Sequence, residues 1–218
     1  MKLVDLTLPL KKGMPFYPSG LHTPFSAEKT AEIGANGREI RRLEMGSHCG
    51  THIDGMTHFL KKGWSVDKIP LSILVGPAYL VNLGNLPQDS VISRKDISER
   101  LPKGRKIERL LLRADWSRFW EKKQYFNGWP HLSEDCCSFI AERGIRLAGF
   151  DFPSPDESFT GKNLDSPNHK FFLKRKIVLI EYLTNLGKLK PGNVFLIALP
   201  LRIAGADGSP SRVIAYNI

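Results

Sequence analysis

The segment HCGTHIDGMTH, residues 48–58, carries three of the six histidines of the chain together with one aspartate. Its side chains His48, His52 and Asp54 fall on even positions, so they project to one side if the segment is extended. Gly50 stands between the two histidines on that side and leaves room for a compact ligand. Imidazole and carboxylate groups that converge in this way are typical ligands of a divalent transition metal. The segment is therefore a candidate metal site.

The composition of this segment favours a strand and turns over a helix. Gly46, Gly50 and Gly55 alternate with β-branched residues such as Thr51 and Ile53, a mixture that is poor for helix formation. A helix would still bring the first two histidines together on one face. The alternative to a metal site is a purely structural cluster, because a sequence does not display the open ligand position of a catalytic metal.

A metal site needs further ligands from elsewhere in the chain, and two residues are candidates. His169 closes the polar stretch Asp165-Ser-Pro-Asn-His, and Glu181 follows it in an otherwise apolar, strand-like run. A carboxylate in such a run is costly to bury unless it is paired or bound to metal. Glu181 could instead end its strand facing solvent. The other histidines, His22 and His131, lie in turn-like or helix-cap surroundings and are not assigned to the site.

These motifs resemble the signature His-x-Gly-Thr-His-x-Asp-x-x-x-His of the cyclase-like metal-dependent hydrolases, the family of bacterial kynurenine formamidases and isatin hydrolases. The resemblance spans nearly the whole chain. Residues 4–7 and the loop 14–18 (MPFYP) are similar to the opening strand and the aromatic-proline substrate loop of the family. Residues 149–156, the spacing from His169 to Glu181 and the closing segment 199–212 also fall where the family has them.

The resemblance implies a role for each polar residue of the candidate site. By similarity to the binuclear formamidases it implies zinc as the cofactor, as one or two ions, with manganese as the alternative. His58 is implied as the proton donor and acceptor, although the residues alone leave open whether it also ligates metal. The implied metal ligands are His48 and His52 for one ion, His169 for the second, and Asp54 and Glu181 as bridges.

The substrate assignment follows less directly from the resemblance. Tyr17 is implied to contact the substrate, but it stands where formamidases usually carry a tryptophan. Gly55-Met56 replaces the Ala-Pro that usually follows the metal-binding aspartate. Both departures lie close to where a substrate would bind. The resemblance therefore supports the metal site more directly than it supports the identity of the substrate.

The chemistry of these groups indicates hydrolysis. A divalent metal lowers the pKa of bound water towards about 7 and polarises a carbonyl. Histidine, with an ordinary pKa of about 6.5, suits protonation of a leaving amine. Together with the resemblance, this predicts an arylformamidase-like amide hydrolase that cleaves an N-formyl aryl amine, such as N-formylkynurenine, to formate and amine. The alternatives are a cyclic amide or ester hydrolase, as in isatin hydrolase, and a metal-stabilised binding domain without turnover.

Composition limits the class of protein and its partners. With 218 residues, 41% of them hydrophobic and 25% charged, a single globular domain over residues 1–218 is expected. The net charge of +10 is scattered and accompanies no phosphate loop or nucleic-acid motif, so a small-molecule substrate is expected and no nucleic acid. No apolar run is long enough to cross a membrane and no secretory signal is visible, which predicts a cytoplasmic protein without a membrane partner.

The three cysteines do not suggest a disulfide framework, because their number is odd and Cys136 and Cys137 are adjacent. Cys49 is interpreted as a small buried residue, with thiolate ligation as the alternative.

Apolar runs alternate irregularly with helical segments along the chain. Helices are predicted to begin after Ser93, with a capping box to Asp96, and after Ser133, with an end at Gly144. This order indicates the α/β class, a single domain with a mixed, partly parallel sheet. The resemblance adds a swivelling β/β/α fold and a homodimer or higher homo-oligomer. The predicted strands are 3–8, 40–45, 78–83, 110–113, 146–150, 177–182, 194–198 and 213–216.

Overall fold

The computed structural model describes residues 2–158 and 165–218. The strands in these ranges are β1 (Val4–Asp5), β2 (Ser26–Ala31), β3 (Ile40–Glu44), β4 (His52–Asp54), β5 (Val75–Asn82), β6 (Val91–Ile92), β7 (Arg109–Arg113), β8 (His131–Leu132), β9 (Leu147–Phe150), β10 (Val178–Glu181), β11 (Gly192–Pro200) and β12 (Gly208–Asn217). The helices are α1 (Ile33–Asn36), α2 (Leu71–Leu74), α3 (Arg94–Ser98), α4 (Glu134–Glu142) and α5 (Pro167–Lys174).

One large sheet organises the molecule. Its strand order is β1-β12-β11-β5-β7-β9-β10-β4, and β12 also pairs with β4, which closes the sheet into a barrel. The central strands β5, β7, β9 and β10 run parallel, whereas β4, β11 and β12 pair antiparallel with their neighbours. The predicted α/β class with a mixed, partly parallel sheet is confirmed.

Two apolar cores lie on opposite faces of this sheet. In β7, Leu111 packs with Leu80 and Ile180 in the core inside the barrel. Its neighbours Leu110 and Leu112 pack in the core between the sheet and the helices. Alternate side chains of a strand point to opposite faces, so a strand buried on both faces is a continuous apolar run. The sequence LLL in β7 is such a run.

Both predicted helices begin where the sequence indicates, and the second also ends at the predicted glycine. At α3, Ser93 and Asp96 form the reciprocal capping box. At α4, the hydroxyl of Ser133 accepts a hydrogen bond of 3.1 Å from the N–H of Cys136. Gly144, with φ +71°, follows the last turn in the left-handed conformation that often ends a helix.

The structure corrects two local predictions. The extended conformation expected from residue 48 onward is confirmed only for β4, because residues 47–48 form a turn and Gly50 is left-handed with φ +62°. Alternation along a strand therefore does not explain the direction of His48. The strand expected over residues 3–8 is limited to β1, after which Leu6 and Leu8 remain buried outside regular structure.

Some elements were not predicted. Among them are α5, which carries His169, and β2, which pairs with β3, predicted over residues 40–45, in a separate two-stranded sheet. In the part of the chain that the structure describes, no helix has the length and apolar character needed to cross a membrane.

Candidate metal centre

The floor of the centre is formed by two neighbouring antiparallel strands. In the register of β4 and β10, His52 lies opposite Glu181. Asp54 is two residues after His52 and therefore projects from the same face of β4. His52 Nε2 lies 3.4 Å from Glu181 Oε2 and 3.4 Å from Asp54 Oδ1. All three residues are almost completely buried. Glu181 thus faces the interior, and the alternative in which it faces solvent is wrong.

His169 reaches the same point from the first turn of α5. Its Nε2 atom lies 3.0 Å from Glu181 Oε1 and 3.5 Å from Asp54 Oδ2. The helix begins there because Pro167 occupies its first turn, where the missing N–H of proline costs nothing. The helix therefore adds an imidazole above the two strands.

Asp156 fixes the orientation of His169. One carboxylate oxygen lies 2.5 Å from His169 Nδ1, and the same carboxylate accepts the backbone N–H groups of Asn168 at 2.7 Å and of His169 at 3.2 Å. An imidazole that donates its Nδ1–H to a carboxylate keeps Nε2 as its basic nitrogen. Asp156 therefore directs Nε2 of His169 towards Asp54 and Glu181.

His48 approaches the centre from a turn before β4. Its Nδ1 atom lies 2.9 Å from Asp54 Oδ1. Gly208, at the start of β12, lies against this ring, and a Cβ at that position would stand 2.6 Å from His48 Cε1. A side chain at residue 208 would therefore displace His48.

His58 lies at the open side of the centre, in the 3-10 turn Met56–His58. Its ring centroid is 3.9 Å from that of His48, and its Nδ1 atom is 3.3 Å from Asp207 Oδ2. The side chain of His58 is 26% exposed, against 1% for His52. Of the site histidines, His58 is therefore the one best placed to exchange protons with a bound molecule.

The arrangement of these groups fits a cation. In the described residues, two sets of three ligand atoms lie within 4.8 Å of one another, and both contain Asp54. Both oxygens of Asp54 and Oε1 of Glu181 are buried without an aligned hydrogen bond from any described residue, although imidazole nitrogens lie close to them. Buried carboxylates are paired or metal-bound in stable proteins. The two sets are His48, Asp54 and His58, and His52, Asp54 and Glu181.

The charges at the centre shift the pKa values of Asp54 and His52. Burial opposes ionisation, but the nearby imidazoles of His169, His48 and His52 hold the pKa of Asp54 well below its usual range. Asp54 and Glu181 in turn raise the pKa of His52 to about 10 against the effect of burial. The Asp54 carboxylate therefore stays ionised and supplies negative charge of the kind that a divalent cation requires.

Aromatic side chains lie beside the centre. Tyr17 packs against Phe126, Trp129 and His22. Its ring centroid lies 5.9 Å from those of Phe126 and Trp129 and 5.3 Å from that of His22. Burial, and after it the charge of Glu181, raises the pKa of the Tyr17 hydroxyl. Tyr17 therefore lies next to the centre, at the boundary between the aromatic core and the polar cluster.

Three residues near the centre were missed by sequence reasoning. The ring of His22 lies 6.3 Å from that of His48, although His22 had been set aside as a turn residue. Asp156 and Asp207 contact site histidines, yet each is an isolated aspartate in a loop with no spacing to mark it. The only available signal was that both lie in segments that resemble the family.

The remaining candidates stay outside the cluster. His131 belongs to β8 and joins neither set of ligand atoms found among the described residues. Cys49 is buried, and burial raises the pKa of its thiol to about 11. A protonated thiol is a poor metal ligand, so the interpretation of Cys49 as a small buried residue agrees with the structure.

Comparison with known proteins gives a consistent set of relatives. A family model described as "Putative cyclase" matches residues 4–157. The kynurenine formamidase of Bacillus cereus is 35% identical over 216 residues, which are 99% of this chain and 97% of the relative. The kynurenine formamidase of Bacillus anthracis is 35% identical and covers 100% of this chain and 98% of its own length.

Solved structures share the fold. Isatin hydrolase A from Labrenzia aggregata, bound to benzyl benzoate, superposes with a TM-score of 0.86 at 26% identity and covers 98% of this chain and 93% of its own. A predicted metal-dependent hydrolase from Bacillus stearothermophilus gives a TM-score of 0.78 at 27% identity, with 98% of this chain and 97% of its own covered.

Proposed function

Because this chain belongs to the cyclase family, we propose that it is a metal-dependent amide hydrolase that cleaves an N-formyl aryl amine, such as N-formylkynurenine, to formate and the free amine. One observation carries the proposal: three imidazoles and two carboxylates converge at a buried point. The full-length relatives named kynurenine formamidase support the reaction class.

The proposed cofactor is zinc, as one or two ions, with manganese as the alternative. When bound, a divalent metal supplies Lewis acidity towards a carbonyl oxygen and lowers the pKa of water. The presence of Asp54 in both sets of ligand atoms supports its assignment as a ligand. The proposed ligands are His48, His52, Asp54, His169 and Glu181.

His58 is the proposed acid-base residue. Hydrolysis places the hydroxyl of water on the formyl carbon, breaks the C–N bond and delivers a proton to the amine nitrogen. An imidazole suits both halves of this transfer because it can accept the proton from water and return it to nitrogen. The partial exposure of His58 and its place beside His48 support this role.

Tyr17 is the proposed substrate contact. An aryl ring binds best where apolar and aromatic side chains surround it and a few polar groups fix its orientation. Tyr17 offers one face of such a wall, and Phe126 and the buried Trp129 pack against its ring. We expect Tyr17→Ala to raise KM for an aryl substrate roughly tenfold while bound metal is unchanged.

A second candidate is hydrolysis of a cyclic amide or ester. The similarity to isatin hydrolase A favours it. A hydrolysis screen of N-formylkynurenine, isatin and simple aryl esters, each with zinc and with manganese, separates the two. Turnover of isatin with no turnover of N-formylkynurenine would replace the first proposal by the second.

A non-catalytic metal-binding domain is the remaining alternative, and His58→Ala tests it. An enzyme of the proposed kind should bind N-formyl aryl amines and lose turnover on this substitution, with its metal largely retained. If purified wild-type protein binds zinc or manganese but hydrolyses none of the three substrate types, the catalytic proposal is wrong.

The organisation of the chain is also a proposal. We infer a single domain over residues 1–218, supported by the pairing of β1 with β12, strands from distant parts of the chain, in one sheet. A homodimeric or higher assembly and a cytoplasmic location remain predictions from the sequence and its resemblance.

A further inference from the structure

Asp207 connects two histidines of the centre. It lies in the loop between β11 and β12, and a single oxygen, Oδ2, is 2.9 Å from His48 Nε2 and 3.3 Å from His58 Nδ1. The two rings are nearly stacked, with centroids 3.9 Å apart and planes inclined by 33°. One carboxylate therefore faces a proposed metal ligand and the proposed acid-base residue at the same time.

The backbone holds Asp207 in this place independently of its side chain. The carbonyl of Asp207 accepts a hydrogen bond of 2.7 Å from the N–H of Gly55, immediately after β4. The next residue, Gly208, pairs with Asp54 across β12 and β4. A change of the Asp207 side chain should therefore leave the loop anchored and the fold intact.

The charge of Asp207 is suited to this position. Its side chain is 44% exposed, so the carboxylate lies at the solvent side of the two rings. An ionised carboxylate beside a histidine selects the tautomer of the ring by accepting one of its protons.

We propose that Asp207 is a positioning residue for proton transfer: it accepts Nδ1–H of His58 and thereby keeps Nε2 of His58 as the nitrogen that exchanges protons with the leaving amine. The inference rests on the proposed hydrolase function. The competing role is indirect, through His48 alone. In that case Asp207 would affect metal binding, and it would have no particular effect on protonation of the leaving group.

Leaving groups of different basicity separate these roles. An aryl amine must be protonated as the C–N bond breaks, whereas a phenolate with a strongly electron-withdrawing substituent leaves without a proton. We expect Asp207→Asn to lower kcat for an N-formyl aryl amine about 10- to 100-fold and kcat for a 4-nitrophenyl ester by a much smaller factor. Zinc affinity, measured by chelator competition, should change less than the amide rate.

A double mutant tests whether Asp207 acts through His58. If it does, Asp207→Asn should cost almost nothing further in a His58→Ala background, since residues that act as a unit are not additive. Asp135→Asn is the matched control, because Asp135 is an exposed aspartate on α4 that pairs only with Arg94 among the contacts of the described residues. It should leave both rates unchanged.

The outcomes are distinct. Equal losses on amide and ester, additivity with His58→Ala, or a fall in zinc affinity large enough to account for the lost rate would overturn the proposal. If the wild-type protein hydrolyses neither substrate, the proposed function fails. The role of Asp207 is then tested by the tautomer of His58 alone. Long-range ¹⁵N NMR on the zinc-loaded protein should then show His58 protonated at Nδ1 in the wild type, with this preference lost in Asp207→Asn. An unchanged tautomer contradicts the proposal.

Discussion

The centre has a buried half and an open half, and they differ in more than exposure. His52, Asp54, His169 and Glu181 form the buried half, where every side chain is less than a tenth exposed. His58, Asp207 and Tyr17 form the open half, where side chains are partly accessible. Electrostatic interactions are stronger away from water, so the buried half is suited to hold a cation. The open half is suited to exchange protons and substrate, which requires access.

The largest effect is expected from a substitution in the buried half of the centre. Asp54→Asn removes a charge that faces three imidazoles, two of which lie within 3.4 Å of Asp54 Oδ1. We expect loss of bound zinc and of turnover by more than the roughly 100-fold that an outer partner costs. Metal analysis after gel filtration measures the first, and an assay at saturating substrate the second.

A comparison with the open half completes this test. His58→Ala should retain metal while losing turnover, and Asp135→Asn should retain both. If Asp54→Asn keeps its metal, or if His58→Ala loses it, the division of the centre into two halves is wrong.

A smaller effect is expected from Asp156, which contacts the proposed ligand His169. Asp156→Asn keeps the size of the side chain but weakens the acceptor of the His169 Nδ1–H. We expect zinc affinity to fall roughly 10- to 100-fold, because outer partners orient the ring and raise its basicity. Chelator competition measures the affinity, and thermal unfolding of the metal-free protein shows whether the fold is retained. Unchanged affinity in a folded variant would contradict the proposed role of Asp156.

The pKa of His52 predicts a pH dependence of metal binding. In the metal-free protein this pKa is raised from 6.5 to about 10. The proton on His52 therefore adds stability that is fully present below pH 6.5 and lost as the pH rises through about 10. A cation must displace this proton within that window, so apparent zinc affinity should rise with pH, by at most about tenfold per unit for each proton displaced.

Calorimetry checks this pH dependence. Titration of zinc at pH 7.5 in two buffers with different ionisation enthalpies should show protons released to the buffer. A binding enthalpy that does not depend on the buffer would mean that no proton is displaced, and the raised pKa of His52 would be wrong.

The sequence predicted those parts of the fold that depend on neighbouring residues, such as strands and helix caps. The apolar run of β7 and the caps Ser93 and Ser133 act within a few residues, and each lies where it was predicted. The turn before β4 was not predicted: Gly50 is left-handed there, and Leu10 and Met14, from a distant part of the chain, lie where a Cβ at this position would stand. The helix α5 was missed because its short polar start gives little periodic signal.

The sequence by itself determined the chemical nature of the centre: imidazole and carboxylate groups dense in residues 48–58, with His169 and Glu181 as further candidates. Only the tertiary structure decided which groups meet. Asp207 is 159 residues from His48 in the chain, yet it contacts His48 because β12 pairs with β4 and closes the barrel. Residue spacing predicts neighbours along one strand or helix, whereas contacts across a closed sheet depend on strand order and register, which the whole chain sets together.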